Sequence, residues 1–192
     1  MSNMSKGKEM KIAITGTIGS GKTEASNYLR SKGYDVFDCD EVNRNILDTR
    51  AYDLLFSDFE ECFEGEELNK TKLSEVIFND INKKEKLEAI LHPLILEQLL
   101  NRNDNPLFAE VPLLFEVGWD SYFDQTLLIV SDEDLALLRL ENRGISRNEA
   151  LNRIKNQMPV EEKIKKATRI IYNNGSLSEL YTAIDSYLKD IC

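Results

Sequence analysis

The sequence predicts an α/β fold of three layers, with a central parallel five-stranded sheet between helices. Two observations lead there. Short apolar runs at 10–15, 34–38, 106–112, 125–131 and 168–173 alternate with stretches of helical periodicity. Strands covered on both faces read as continuous apolar runs of this kind. The first run also leads directly into a glycine-rich loop and a helix. The result is a strand–loop–helix–strand unit, whose crossover is right-handed.

The elements follow in chain order. The polar lead-in MSNMSKGKE contains no apolar segment of signal-peptide type, and Met10 could serve as a functional start. "MKIAIT" (10–15) is a buried strand, 22–32 a helix ending near Gly33, and "YDVFD" (34–38) the second strand. The stretch 41–104 is charged and carries no strong strand signal. Its apolar residues Leu73, Val76, Ile77, then Leu87, Ile90, Leu91, Leu94 and Ile95 fall at helical spacing, so it reads as a helical insertion, interrupted at Pro93. Strands resume at "PLFAEVP" (106–112) and "QTLLIVS" (125–131), and a helix follows at 132–142. Residues 146–166 form two charged helical pieces split by Pro159. "TRIIYN" is the last strand, and an amphipathic helix from Leu177 to Ile191 ends the chain.

Composition narrows the function. The 192 residues carry 34 acidic and 24 basic side chains, a formal charge of −10. That excess of acid argues against a protein that coats nucleic acid, yet a local basic cluster still serves a small polyanion. Cys39, Cys62 and Cys192 are odd in number and far apart. A disulfide framework or metal cluster is not expected, and a reducing cytoplasm is the plain reading. No apolar run approaches a membrane span.

The loop between the first strand and helix reads "GTIGSGKT", the pattern G-x-x-x-x-G-K-[ST] from Gly16 to Thr23. Glycines let the backbone turn tightly and aim N–H groups inward, and those donors with the helix N-terminus cradle a phosphate chain. Gly16, Thr17, Ile18, Gly19, Ser20, Gly21, Lys22 and Thr23 are therefore the expected ATP-binding loop of a P-loop NTPase fold. Lys22 is expected to reach the β- and γ-phosphates, and the Thr23 hydroxyl to ligate Mg²⁺. Glu24 suits the helix dipole but cannot donate to an α-phosphate.

Neither D-x-x-G nor N-K-x-D occurs, which sets a GTPase aside, and the chain is short for a motor ATPase. A small kinase remains. The second strand ends in "FDCDEVNR", where Asp38 and Asp40, two apart, share one face if the segment is extended. Beyond a strand end they could take the proton of an attacking hydroxyl and help hold Mg²⁺ through water. The plainer reading is that Asp40 caps the next helix.

"TGTIGSGKT", "FDCDEVNR", "LHPLI", "EVPLLFE", "LENRGISRNEALNRIKNQMP" and "IIYNNG" together resemble the dephospho-CoA kinase family, in the family's order and over most of 12–175. The resemblance implies transfer of the ATP γ-phosphate to the ribose 3′-hydroxyl of dephospho-CoA. It makes Asp40 the catalytic base with Asp38 beside it, and Arg143 the lid arginine on the ATP phosphates. It puts His92 in a helical acceptor lobe, and Leu113, Phe115 and Glu116 where acceptor and core meet. Asn173, Asn174 and Gly175 fall near the adenine. It also gives Glu110, where the family usually has Asp, a reach toward Mg²⁺.

Taken from the residues alone, Arg143 belongs to a basic run with Arg139, Arg147 and Arg153 that could equally be a solvated helix face. A lone His more often fills a core role than a chemical one, and the apolar residues of "PLLFE" are more often core. The lid is slightly shorter than the family's. Thr168 and Tyr172 stand where the family has acids, which would disturb local pairing near the adenine.

The expected organisation is a nucleotide-binding core (10–40, 105–142 and 167–192), an acceptor lobe (41–104) and a lid (143–166) that closes over ATP. The protein is expected to be a monomer or small homo-oligomer. A shikimate-kinase-like enzyme would need a glycine run after strand three, where "EVPLLFE" stands. A nucleoside monophosphate kinase is a weaker rival. A non-catalytic nucleotide-binding module would not need Lys22, Thr23, Asp40 and Arg143 together.

Overall fold

The structure, a computed structural model, describes residues 10–191. The lead-in, with the proposed start's upstream residues, and Cys192 lie outside the described residues. The chain divides into two compact units. One runs to Phe37 and resumes at Asn103, and the other is Asp38–Arg102.

The first unit is built on β1 (Lys11–Gly16), β2 (Val36–Asp38), β5 (Leu107–Glu110), β6 (Gln125–Val130) and β7 (Arg169–Tyr172), in the order β2-β5-β1-β6-β7. β1 runs parallel to both neighbours, with Ile12 opposite Phe108 and Ile14 opposite Leu127, and β6 runs parallel to β7. β1 and β2 are thus not adjacent, because β5 lies between them. Alternation sorts the side chains: Ile12, Ile14, Leu127 and Ile129 join Ala25, Leu29, Leu180 and Ile184 in one core. That core buries α1 (Lys22–Ser31) and α8 (Leu177–Ile191) on one face of the sheet.

α8 buries Leu180, Ile184, Tyr187 and Leu188, the i, i+4, i+7, i+8 stripe of an amphipathic helix. Its start is a capping box. Ser176 Oγ accepts from Glu179 N–H at 3.3 Å, and Glu179 Oε2 accepts from Ser176 N–H at 2.6 Å. Within this core, burial pushes the Tyr187 phenol up to about 12, with Arg169 opposing. A smaller cluster joins α5 (Glu133–Glu141) to α6 (Arg147–Lys155) through Leu137, Leu140 and Ala150, with Ile18 and Ile154 against it. α7 (Val160–Lys166) follows Pro159 at its N-cap position, as the sequence predicts.

The second unit contains α2 (Cys39–Phe59), α3 (Lys70–Asn79) and α4 (Ile81–Leu100). Asn69 and Asp80 cap α3 and α4 by accepting from Lys72 N–H and from Asn82 and Lys83 N–H. Two expectations need correction here. A small antiparallel hairpin, β3 (Phe63–Glu64) with β4 (Glu67–Leu68), interrupts the helices, turning at Gly65 with φ +67°. Two-residue strands are too short to show periodicity. Pro93 also does not interrupt α4. It sits on the exposed side, while Leu87, Leu91, Ile95 and Leu99 are buried at i, i+4 spacing, and that face outweighs one lost ladder bond.

Candidate active site

The glycine-rich loop joins β1 to α1, and each of its tight points has a visible cause. Gly21, the N-cap residue of α1, has φ +98°, and a Cβ there would lie 2.3 Å from Asn173 Nδ2. Gly19 has φ +78°, and its Cβ would meet the Ala136 carbonyl of α5 at 2.7 Å. The loop is held from behind by two side chains. Asn173, buried, donates from Nδ2 to Ser20 O at 2.8 Å. Arg139 donates to Asn173 O at 2.9 Å and to the Gly19 and Ser20 carbonyls at 3.4 Å. Burial and the neighbouring Arg143 pull Arg139 below the ordinary arginine value. Lys22 opens α1, where the helix dipole and free N–H groups favour an anion.

Thr23 Oγ1 donates to Glu110 Oε1 at 3.1 Å. Glu110, at the end of β5, is 6% exposed, and its Oε2 is buried without a hydrogen bond. A buried carboxylate oxygen next to a hydroxyl is costly as it stands and well suited to a hard cation. Among the described residues no three His, Cys, Asp or Glu side chains gather as a metal site. A cation here would therefore take most of its ligands from phosphate and water, as Mg²⁺ does.

The carboxylates after β2 are arranged differently from the extended reading. Asp38 is the N-cap of α2, accepting from Glu41 N–H at 3.0 Å, and Asp40 is already in the first helical turn, exposed. The cap role belongs to Asp38, and the two side chains do not share a pleat face. His92 is half-buried in α4, and burial pulls it below the ordinary histidine value, with Glu88 opposing.

Of the "PLLFE" residues, Leu113 is exposed and Phe115 buried, with Lys166 Nζ 5.9 Å from the ring centroid. Glu116 Oε1 accepts from Met158 N–H at 3.0 Å and lies 2.7 Å from Lys163 Nζ. Arg143 is exposed just past α5, before the turn at Gly144. Arg147 pairs with Asp134 and Glu141 and Arg153 with Glu149, all on the surface. The basic run therefore splits into Arg139 under the loop, Arg143 at the turn, and two arginines in surface ion pairs. Asn174 exchanges hydrogen bonds with Asp132, at 2.8 and 2.9 Å, and Gly175 follows it, exposed.

Two of the residues that stood out in the sequence, Glu24 and Thr168, acquire roles. Glu24 Oε1 accepts from Tyr181 Oη at 2.5 Å, a bond that raises the Tyr181 phenol. Tyr181 stacks on Tyr28 at 4.1 Å, so Glu24 ties α1 to α8. Thr168 is tied to a neighbouring strand. It lies ahead of β7, where Thr126 and Thr168 exchange three hydrogen bonds of 2.7 to 3.0 Å, at the far end of the strand from Asn173. Tyr172 ends β7 exposed.

Sequence reasoning missed Asn173 as loop support, and with it Arg139, Gln157, Lys163 and Tyr181. Asn173 and Gln157 stood inside motif strings already singled out and Arg139 in the basic run, whereas Lys163 and Tyr181 stood in neither.

Comparison with known proteins identifies the family. A dephospho-CoA kinase family model matches residues 10–179. A dephospho-CoA kinase of Thermus thermophilus is 39% identical over 186 residues, covering 94% of this chain and 91% of the relative. One from Fusobacterium nucleatum is 34% identical over 190 residues, covering 95% and 98%. A crystal structure of a Thermus thermophilus protein superposes with a TM-score of 0.85 at 37% identity, covering 96% and 98%. A shikimate kinase from Acinetobacter baumannii shares the fold alone, with a TM-score of 0.61 at 13% identity over 95% and 94%.

Proposed function

This chain belongs to the dephospho-CoA kinase family and is a kinase of the last step of coenzyme A synthesis, and we propose that its residues divide the work as follows. The γ-phosphoryl group of ATP passes to the ribose 3′-hydroxyl of dephospho-CoA, leaving ADP and coenzyme A. The observation that carries this reading is the loop: Lys22 at the head of α1, on a backbone braced by Asn173 and Arg139.

Phosphoryl transfer asks the protein mainly for positioning and charge neutralisation. The amides at the start of α1 and Lys22 hold the β- and γ-phosphates. Arg143 is exposed and flanked by Gly144, and among the described residues it forms no ion pair of the kind that occupies Arg147 and Arg153, which suits a lid arginine on the same phosphates. Asp40, exposed in the first turn of α2, accepts the proton of the 3′-hydroxyl. Asp38 orients that turn through its cap, and His92, Leu113 and Phe115 contribute to the acceptor side. Asn174 and Gly175 border the adenine, with Asn174 fixed by Asp132. Thr23, with Glu110 beside it, would hold Mg²⁺, which would supply charge neutralisation at the phosphate chain when bound. The fit rests on the buried, unbonded Glu110 Oε2. Segment 41–104 serves as acceptor lobe and 143–166 as lid. No described helix is long and apolar enough to cross a membrane.

The test is an acceptor panel. With Mg-ATP, ADP release is expected with dephospho-CoA and not with shikimate or nucleoside monophosphates. Turnover of shikimate in preference to dephospho-CoA would overturn the reading.

A further inference from the structure

Three contacts fasten the connection between α6 and α7 to the rest of its unit. Gln157 Oε1 accepts from Ile18 N–H, in the phosphate loop, at 2.9 Å. The next residue, Met158, donates its N–H to Glu116 Oε1. Lys163, one turn into α7, places Nζ 2.7 Å from the same oxygen.

The third contact is unusual in its burial. Lys163 is 0% exposed and the Glu116 side chain 19%. Nζ makes no aligned hydrogen bond, so Glu116 is its counter-ion rather than one member of a network. A buried ammonium persists only when paired, and removing one partner strands the other. Glu116 thus already carries two obligations, to a backbone amide and to a buried cation. Both contacts use Oε1, whereas Oε2 is buried without a hydrogen bond among the described residues. Ile18 adds an apolar anchor, since its side chain packs with Leu137, Leu140 and Ala150 beside Ile154.

We propose that Gln157, Glu116 and Lys163 are positioning residues that set the base of the lid helices, and that Gln157 through Ile18 N–H fixes the outer turn of the phosphate loop in register with the lid. The proposal rests on reading that loop as the ATP site. Lid and loop then share one hydrogen bond, and the segment carrying Arg143 and α6 is held at its far end by the residue that shapes the loop. Glu116 acts through its Oε1 contacts to Met158 and Lys163.

The test uses the full chain and four variants: Gln157→Leu, Glu116→Gln, Lys163→Met and the Glu116→Gln/Lys163→Met double. Losing the Gln157 acceptor is expected to lower kcat/KM for ATP about tenfold, the scale of one hydrogen bond with a stranded partner, while KM for dephospho-CoA stays within about twofold. Each charge-removing single is expected to lower the melting temperature, and the double to recover most of the loss because no charge remains unpaired. Should a single fail to fold, Gln157→Leu, at a half-buried side chain, carries the test. The proposal is overturned if Gln157→Leu leaves kcat/KM for ATP unchanged. It is also overturned if Glu116→Gln raises KM for dephospho-CoA alone, which would make Glu116 an acceptor ligand, or if the double variant is no better than the singles. Direct Mg-ATP titration of the unmodified protein separates the two levels. Absence of binding there rejects the loop as an ATP site and the proposal with it. Binding there, with an unaffected Gln157→Leu, rejects only the proposal.

Discussion

Gly21→Ala is the sharpest probe of the loop. Gly21 has φ +98° and ψ +21°, a left-handed conformation that costs an L-residue about 1–2 kcal/mol. The new Cβ would also sit 2.3 Å from Asn173 Nδ2, inside any real contact, so Asn173 must move. Moving it breaks the 2.8 Å bond to Ser20 O, worth about 1 kcal/mol. Together these come to about 2–3 kcal/mol. Expressed on the phosphate-binding conformation, that is an ATP affinity loss of about 30- to 150-fold. Calorimetric titration with Mg-ATP measures it, with far-ultraviolet circular dichroism to show that the fold is intact. Gly21→Ala combined with Asn173→Ala keeps the strained φ and also lacks the Asn173–Ser20 bond, so it is expected to bind no more tightly than Gly21→Ala alone. An affinity for Gly21→Ala within threefold of the original would refute the reasoning, since neither strain nor clash would then be felt at the loop.

Other substitutions separate architecture from chemistry. Asp38→Ala removes the α2 cap and is expected to cost about 1 kcal/mol in urea denaturation. Asp40→Asn is expected to leave stability and ATP binding intact and to lower turnover by about 100-fold or more, and unchanged turnover would remove it as the base. Thr168→Val removes the two hydrogen bonds made by the Thr168 hydroxyl, keeps the one donated by its backbone N–H, and is expected to lower stability by about 1–3 kcal/mol with turnover within about twofold. His92 gives a pH dependence. Its folded value lies below the ordinary 6.5 because burial disfavours the charged form, so the unfolded chain binds the proton more readily. Stability is then full above the ordinary value and is lost as pH falls through it toward the lowered one. Urea midpoints at pH 7.5 and 5.5 are expected to fall further for the original protein than for His92→Gln, and equal slopes would contradict this.

What the sequence made legible was local. The "GTIGSGKT" loop, the five apolar strands and the alternation of helices all follow from residues within a few positions of one another, and the structure has them. The errors came where one physical effect overrode another. Pro93 reads as a break, but one buried face of α4 outweighs one lost bond. Asp38 and Asp40 read as a pleated pair, but α2 begins at once and assigns them a cap and a first-turn position. The hairpin at Gly65 is too short to show a period. The ties around the site lie far apart in the chain: Ile18 to Gln157 spans 139 residues and Glu24 to Tyr181 spans 157. No spacing rule connects such pairs. Glu24 and Thr168 stood out in the sequence, and their partners had to be seen in space to become reasons.

The central claim is that this chain moves a phosphoryl group from ATP to one hydroxyl of dephospho-CoA. The most direct measurement is the fate of the γ-phosphate. With γ-labelled ATP, Mg²⁺ and dephospho-CoA, the label is predicted on the ribose 3′-oxygen of the product, located by phosphorus NMR and mass spectrometry, in one-to-one ratio with ADP. Label recovered as inorganic phosphate, or on any other oxygen of the acceptor, would contradict it.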